Sequence, residues 1–430
     1  MEPIENIGRA SSRLRTLDDQ ARVLDHRGLR KAQLSLSSNN VLLFIWLAYA
    51  IVMALFLTED MRNYLVLFAA CVGVVALFAF RLEVASDLLV ASVLFAYMAV
   101  VAEVLGTTRD LGSVALTTLY AMGYFAIVGL IKKPSFDRLF AQRVFAGIIC
   151  ACAAVSVVQM VTSLAGLPIP NLIASKGLWS YNSLATEPSQ LARTVGISML
   201  AYLIVARPTR RPESLLAIAM GHKEVMLAFM ITMLLSGSAM AALAIPLVLL
   251  FALSIRWVVL ASAALIVIWP LALLVDFEPL QRALKLLSSR DSLDVSSIAQ
   301  ADGSGSLRVI PAVIYLQESI PEDLAFWFGY GRDGLFQFFQ GRLPGMGEKV
   351  GSGFLPGFLV TYGVIGTALF LGVFSLRFIN RSTTPIFAFF IIFMSSSAWN
   401  TQVFWYALIV LRIVYQVEIM RAARRGSAPS

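Results

Sequence analysis

The sequence predicts an all-α, polytopic membrane protein with about twelve transmembrane helices and one large, partly helical loop on the non-cytoplasmic side. Of its 430 residues, 58% are hydrophobic and only 14% are charged, whereas a soluble domain carries about a quarter charged residues. The mean hydropathy is +0.78. Apolar runs approach the ~20 residues that a helix needs to cross hydrocarbon, and short connections bearing charge, glycine or proline separate them. These runs are continuous, not the alternating segments of about ten residues that a β-barrel needs, and a helix satisfies its own backbone in lipid.

Along the chain, residues 1–40 carry Arg9, Arg13, Arg15, Arg22, Arg27, Arg30 and Lys31 without an apolar core. They read as a cytoplasmic tail and not as a secretory signal. Nine spans follow within 41–275, near 41–57, 63–80, 85–102, 112–131, 144–165, 190–206, 223–236, 238–255 and 257–275. The seventh is short and nearly continuous with the eighth. Residues 276–352 form the large loop. Three further spans, 353–376, 384–398 and 401–418, precede a cytoplasmic tail over 419–430. Cys71, Cys150 and Cys152 all fall inside spans, so they read as small apolar packing residues.

Counting from a cytoplasmic N-terminus puts Lys132, Lys133, Arg138, Arg143, Arg207, Arg210, Arg211, Arg377 and Arg381 on the inside. The formal charge of +8 is then largely a topology signal, and nucleic acid is not needed to explain it. The same count puts 166–189 and 276–352 outside. Loops as long as the second are commonly functional or structured. In it Leu280, Ala283, Leu284 and Leu287 share one helical face opposite Arg282, Lys285 and Ser288, so 279–289 suits the membrane surface. A second helix is predicted over 307–319, and the polar stretch 291–305 reads as a hinge. No internal repeat stands out.

Where the external connection enters the sixth span, the chain reads Thr186-Glu187-Pro188-Ser189-Gln190-Leu191-Ala192-Arg193. Pro188 suits a first helical turn, and Thr186 or Glu187 is placed to cap it. Arg193 falls one or two turns inside, on the face of Ser189. Arginine at that depth is costly: it serves a bound anion, or it reaches along the interface to lipid phosphates or a carboxylate. In the large loop Arg290, Arg308, Arg332 and Arg342 are available to an anionic group, and Arg308 opens the helix that runs back to the membrane. The planar fork of arginine suits a pyrophosphate, although a solvated surface is the competing reading for any one of them. Gly329-Tyr330-Gly331-Arg332-Asp333-Gly334 sets a tight turn and lacks the strand that a nucleotide-binding loop requires. The sequence has no HExxH and no Cys/His cluster, and His26 and His222 both fall on the cytoplasmic side. No metal or other cofactor is expected.

Three stretches together resemble the bacterial O-antigen polymerase and O-antigen ligase superfamily, the Wzy-type polymerases and their ligase relatives, over roughly 180–375. Glu187-Pro188-Ser189 followed by Arg193 is similar to the Glu-Pro-Ser segment of exopolysaccharide polymerases. LLSGSAMAALAIPLVLL at 234–250 is similar to the Ser-rich hairpin before the family's large loop. Gly305-Ser306-Leu307-Arg308, FGYGRDGLF at 328–336 and GFLPGFLVTYGVIG at 353–366 resemble its loop arginine, Gly-x-Gly turn and return helix. Ligases of the superfamily usually place a histidine just before the return helix, where this chain reads Val350-Gly351-Ser352-Gly353, so the polymerase branch is favoured.

The resemblance implies inverting, metal-independent transfer of an undecaprenyl-pyrophosphate-linked glycan to a sugar hydroxyl of another lipid-linked repeat unit. The reaction would take place at the periplasmic face of the bacterial inner membrane, beside membrane lipid and a chain-length regulator protein. It further implies Glu187, Arg193 and Arg308 as catalytic residues, and Ser189, Arg290, Tyr315 and Arg332 as substrate-binding ones. Glu187 is equally well read as a cap. The alternatives are a ligase that delivers glycan to lipid A-core, a transporter or flippase for lipid-linked sugars, and an assembly subunit without chemistry. A carrier calls for mid-membrane ionisable residues and broken helices. Here Asp87, Glu103 and Arg193 lie toward span ends, while His222, Lys223 and Glu224 lie at the inner edge of the seventh span.

This orientation is testable by cysteine-accessibility labelling. An impermeant external reagent should reach Ser304→Cys and spare Ser214→Cys. The reverse pattern would invert the topology.

Overall fold

The structure, a computed structural model, describes residues 38–58, 62–104, 111–172, 180–207, 221–252, 303–339 and 353–426. They are mostly helical, with no strand among them. In chain order the helices are α1 (Ser38–Ala50), then α2 (Tyr64–Ala79), α3 (Ala85–Val104), α4 (Leu111–Leu130), α5 (Arg138–Leu164), α6 (Pro188–Ala206), α7 (Lys223–Ser236) and α8 (Ala239–Ala252). After the gap come α9 (Gly303–Glu318), α10 (Leu324–Phe328), α11 (Gly331–Phe339), α12 (Phe354–Phe374), α13 (Thr384–Met394) and α14 (Gln402–Gly426). The span expected over 257–275, the surface helix over 279–289, and both Arg290 and Arg342 lie outside the described residues.

Among the described residues, four helices are long and apolar enough to cross a membrane: Arg138–Leu164, Pro188–Ala206, Phe354–Phe378 and Gln402–Ala423. Shorter apolar helices, α1, α2 and α13 among them, occupy other expected spans. Helix α6 is the most enclosed, 94% buried over its apolar window. It is packed by α5, α7, α8, α13 and α14. A second group joins α2 to α4 and α4 to α3, with α12 against α3; α14 touches both groups. Between them lies an aromatic core in which Phe354, Phe370 and Phe390 surround Phe404, with Phe374 edge-on to Trp405.

Several expected boundaries move, each for a local reason. The first span, expected over 41–57, ends as a helix at Ala50. Beyond it the Val52 amide donates to the Leu184 carbonyl and the Ala54 amide to the Asn171 side chain, so the backbone is drawn into a neighbouring loop. Helix α5 starts at Arg138, earlier than the expected 144, because Asp137 caps it by accepting from the Phe140 amide at 2.6 Å. The seventh and eighth spans separate at Gly237, which takes a left-handed conformation (φ 52°). The helix expected over 307–319 begins at Gly303 and ends at Glu318. The eleventh span stops at Met394, and the last runs on through Gly426 into the expected tail. There Arg421 donates to the carbonyls of Ile204, Val205 and Arg207. Of the cysteines, Cys152 is buried as expected of a packing residue, but Cys71 and Cys150 are exposed on helix surfaces.

The return helix α12 is broken at Gly363 (φ 67°, ψ −175°). The carbonyls freed around the break find partners elsewhere. Tyr330 N–H donates to Val360 O at 2.7 Å, the Tyr97 hydroxyl to Tyr362 O at 2.8 Å, and the Thr367 hydroxyl to Gly363 O at 2.8 Å. The segment wedged there is Trp327–Tyr330, part of the stretch expected as an external loop. Its Gly329 has φ 91°, and a Cβ at that position would come within 2.2 Å of Thr361 O.

One charge that the sequence reading did not single out, Arg412, lies in the interior of α14 and is only 6% exposed. Its Nη2 lies 3.9 Å from Asp87, which also pairs with Arg377 and, at 3.5 Å, with Lys132. Pairing and the ring of Phe378, 4.0 Å beneath its guanidinium carbon, make that depth tolerable.

Gly363→Ala should destabilise the protein. A Cβ there would meet Trp327 O at 2.3 Å, on top of the ~1–3 kcal/mol cost of a non-glycine residue in strained backbone. Thermal unfolding in detergent should show a lowered midpoint, with faster proteolysis at Ile320–Asp323. Gly147→Ala, with no heavy atom within 4 Å of its Cβ, should leave the midpoint unchanged or raise it.

Candidate functional site

Contacts between the described connections sort several helix ends into two sets. One set holds the basic connections around Arg81, Lys132, Lys133, Arg207 and Arg377. There Lys132 and Lys133 donate to the carbonyls of Glu83 and Phe80, and Arg138 donates to that of Arg207. The opposite set gathers residues 51–58, 62–63, 165–172, 180–187 and 395–401. It also contains the start of α6 and of α12.

The start of α6 is built by a buried amide network. Gln159, inside α5, donates to Pro170 O at 2.7 Å and accepts from the Ser183 amide at 2.8 Å. The Asn182 side chain donates to Asn171 O at 2.8 Å and to Ala185 O at 2.6 Å. Asn171 in turn donates to the carbonyls of Val52 and Ser183. Ser183 takes a positive φ of 48° and donates its hydroxyl to Cys152 O at 2.6 Å. Polar groups buried away from water need partners, and here the loop supplies them to itself. The connection is thereby fixed on α5 immediately before Glu187.

Glu187 occupies the N-cap position with extended backbone and Pro188 follows in the first turn, but the Glu187 side chain makes no capping bond. Its carboxylate instead accepts from the Ser189 hydroxyl at 3.2 Å. Thr186 donates to the Gln190 side chain at 2.5 Å. The capping role read from the sequence is therefore taken by neither side chain. Arg193 is 3% exposed and donates to the Ser396 hydroxyl at 2.9 Å. A guanidinium near the positive end of the α6 dipole makes this corner attractive to negative charge.

Ser396 belongs to the turn Ser395–Thr401, which bridges two parts of the molecule. Leu355 N–H donates to Ser395 O at 3.2 Å, and Trp405 Nε1 to Trp399 O at 2.9 Å. The Trp399 ring stands edge-on to Phe358 of α12, with centroids 5.4 Å apart. Farther along α12, Val360 packs with Ile310, Ile314 and Tyr315 of α9 and with Phe338 and Phe339 of α11. Tyr315 stacks parallel to Phe326, and burial pushes its phenol above the ordinary value. Its buried hydroxyl makes no hydrogen bond among the described residues.

The structure thus brings Glu187, Ser189 and Arg193 together and puts Tyr315 in a second cluster, on the far side of the Ser395–Thr401 turn. Arg308 and Arg332 lie on the backbone of α9 and α11 in that second cluster; their side chains, like all of Arg290, lie outside the described residues. Sequence reasoning missed Ser396, Trp399 and the amide network. The available signals were Gln159 inside an apolar run and three consecutive serines between two spans. Among the described residues, no three His, Cys, Asp or Glu side chains gather as metal ligands would. Compared with protein-family models and with curated proteins, the chain matches none.

Gln159→Leu should strand the Ser183 amide and the Pro170 carbonyl. The expected loss is about 1–3 kcal/mol, the cost of leaving buried polar groups unpaired, read as a lower unfolding midpoint. Thr162→Val, whose hydroxyl bonds only within α5, should be close to neutral.

Proposed function

We propose that the protein is a polysaccharide polymerase of the bacterial inner membrane, acting on undecaprenyl-pyrophosphate-linked glycans at the periplasmic face. The observation that carries this reading is the buried Arg193 guanidinium at the start of α6, six positions from a carboxylate held by Ser189. That pairing fits transfer from a pyrophosphate. The acceptor sugar hydroxyl attacks the anomeric carbon, the bond from that carbon to the pyrophosphate oxygen breaks, and the configuration inverts. The hydroxyl proton passes to Glu187. The departing pyrophosphate carries its negative charge against Arg193, and against Arg308 where the loop meets it. Such a leaving group asks for alignment and charge neutralisation more than for bond activation, and a buried guanidinium such as that of Arg193 suits both. Ser189, Arg290, Tyr315 and Arg332 serve the glycan and its phosphates, and no metal enters the scheme.

A carrier of lipid-linked sugars is the second reading. The break in α12 at Gly363 and the interior Arg412 favour it, since broken helices and buried charge mark transport paths. The two readings separate in a purified system: a polymerase lengthens glycans in detergent, where a carrier has no compartments to connect.

Arg193→Ala and Arg308→Ala should each reduce polymer length on gels, and release of lipid pyrophosphate, by tenfold or more (each ~1.4 kcal/mol is a factor of ten). Lysine at either position should retain more turnover than alanine without restoring it, since it keeps charge and loses the fork. The double variant should lose less than the product of the single losses, because both groups act on one leaving group. Near-normal polymer from the double variant, at equal amounts of folded protein, would remove both residues from the mechanism.

A further inference from the structure

At the basic end, opposite the corner around Arg193, Lys132, Arg377 and Arg412 converge on Asp87. Among the described residues, Asp87 is the sole carboxylate within ion-pair distance of the three. The cluster therefore carries excess positive charge. It is also graded in depth: Arg412 and Asp87 are enclosed, with 8% and 9% of their side chains exposed, while Lys132 and Arg377 each keep 32%. Both guanidinium groups lie on the Phe378 ring, at 4.0 Å for Arg412 and 4.7 Å for Arg377. The ring holds them side by side despite their like charge. The Arg412 Nε–H is buried and makes no hydrogen bond among the described residues.

An enclosed charge lacking full compensation is costly, and one carboxylate cannot saturate the donors of two guanidinium groups and an ammonium. The surrounding connections add Lys133, Arg81 and the exposed acid Glu83; it is the Glu83 backbone carbonyl that meets Lys132, and the Phe80 carbonyl that meets Lys133. A basic recess between helices at the end where lysine and arginine accumulate is suited to the phosphate of an anionic lipid. A diester phosphate supplies the missing acceptor oxygens while its acyl chains lie along the exposed apolar faces of α2 and α3, at Phe78, Leu89 and Val93.

We propose that Lys132, Arg377 and Arg412 form a binding site for the phosphate of an anionic lipid headgroup, with Asp87 holding the cations in register. The site is independent of the glycan chemistry. The full-length chain in non-ionic detergent, titrated at constant ionic strength with phosphatidylglycerol, phosphatidylcholine or inorganic phosphate, tests it through the thermal unfolding midpoint. Phosphatidylglycerol should raise the midpoint saturably, and phosphatidylcholine should not. Lys132→Gln and Arg377→Gln should each weaken the half-saturating concentration about fivefold, the scale of one cation near an anionic surface. Lys132→Gln, on the open side of the cluster, keeps the test readable if Arg377→Gln fails to fold. Asp87→Asn should tighten the lipid response even as it lowers the starting midpoint, a sign that a purely structural ion pair would not give. Equal responses to both lipids, or variants that respond as the parent does, would overturn the site. An equal response to inorganic phosphate would overturn its assignment to lipid.

Discussion

Hydrocarbon offers no hydrogen bonds, so every interruption of a helix inside this bundle must be closed by the protein itself. The break in α12 shows how closely that condition is met. Its freed carbonyls are taken by the Tyr330 amide, the Tyr97 hydroxyl and the Thr367 hydroxyl, drawn from α3, from the turn before α11 and from α12 itself. The unwinding of α12 and the docking of Trp327–Tyr330 are one event, because each leaves the other's backbone unsatisfied if it occurs alone. The chain just past α1 obeys the same condition: the amides of Val52 and Ala54 bond to the Leu184 carbonyl and the Asn171 side chain.

The condition extends to charge, and the two ends of the bundle meet it differently. Around Asp87, cations outnumber the acid, and an aromatic ring supports the guanidinium groups. Around Arg193, a single guanidinium is set against a serine hydroxyl, beside a carboxylate already engaged by another serine. Serine hydroxyls are small and rotate freely, and each both donates and accepts. They help to position the charged groups they touch. At Glu418 and Arg421 an ion pair fixes a helix end.

Much of this was legible in the sequence because apolar length and lysine/arginine placement report directly on lipid and on topology. The helices found at 64–79, 85–104, 111–130 and 188–206 follow the expected runs closely. Glu187, Ser189 and Arg193 were legible for a related reason: proline in a first turn fixes the helix start, and i, i+4 spacing fixes the face. What escaped depends on contacts distant in sequence. Ser396 reaches Arg193 across some two hundred positions, and the three consecutive serines mark a polar turn without naming its partner. Arg412 was passed over because a lone arginine barely lowers the hydropathy of a long apolar run, while its partners Asp87, Lys132 and Arg377 come from three other parts of the chain. The Gly363 break was hidden for the opposite reason: in GFLPGFLVTYGVIG glycines recur throughout, and only the partner at Trp327 distinguishes the one that unwinds.

These long-range contacts give the bundle a mechanical link between its two clusters of proposed site residues. The Ser395–Thr401 turn touches Arg193 through Ser396 and touches α12 through Ser395 and Trp399. Helix α12, through Val360 and the Gly363 break, carries α9 to α11 and hence the backbone of Arg308 and Arg332. A displacement of α9 to α11 must therefore either open the Trp327–Gly363 seam or pass through α12 to the turn that holds Arg193. Opening the seam exposes unpaired carbonyls, so the second course costs less in lipid. Coupling of this kind needs no flexible hinge; it follows from a helix that is broken where another segment must fill the gap. The backbone of α9 to α11 and the start of α6 are thereby tied together through α12 and the Ser395–Thr401 turn.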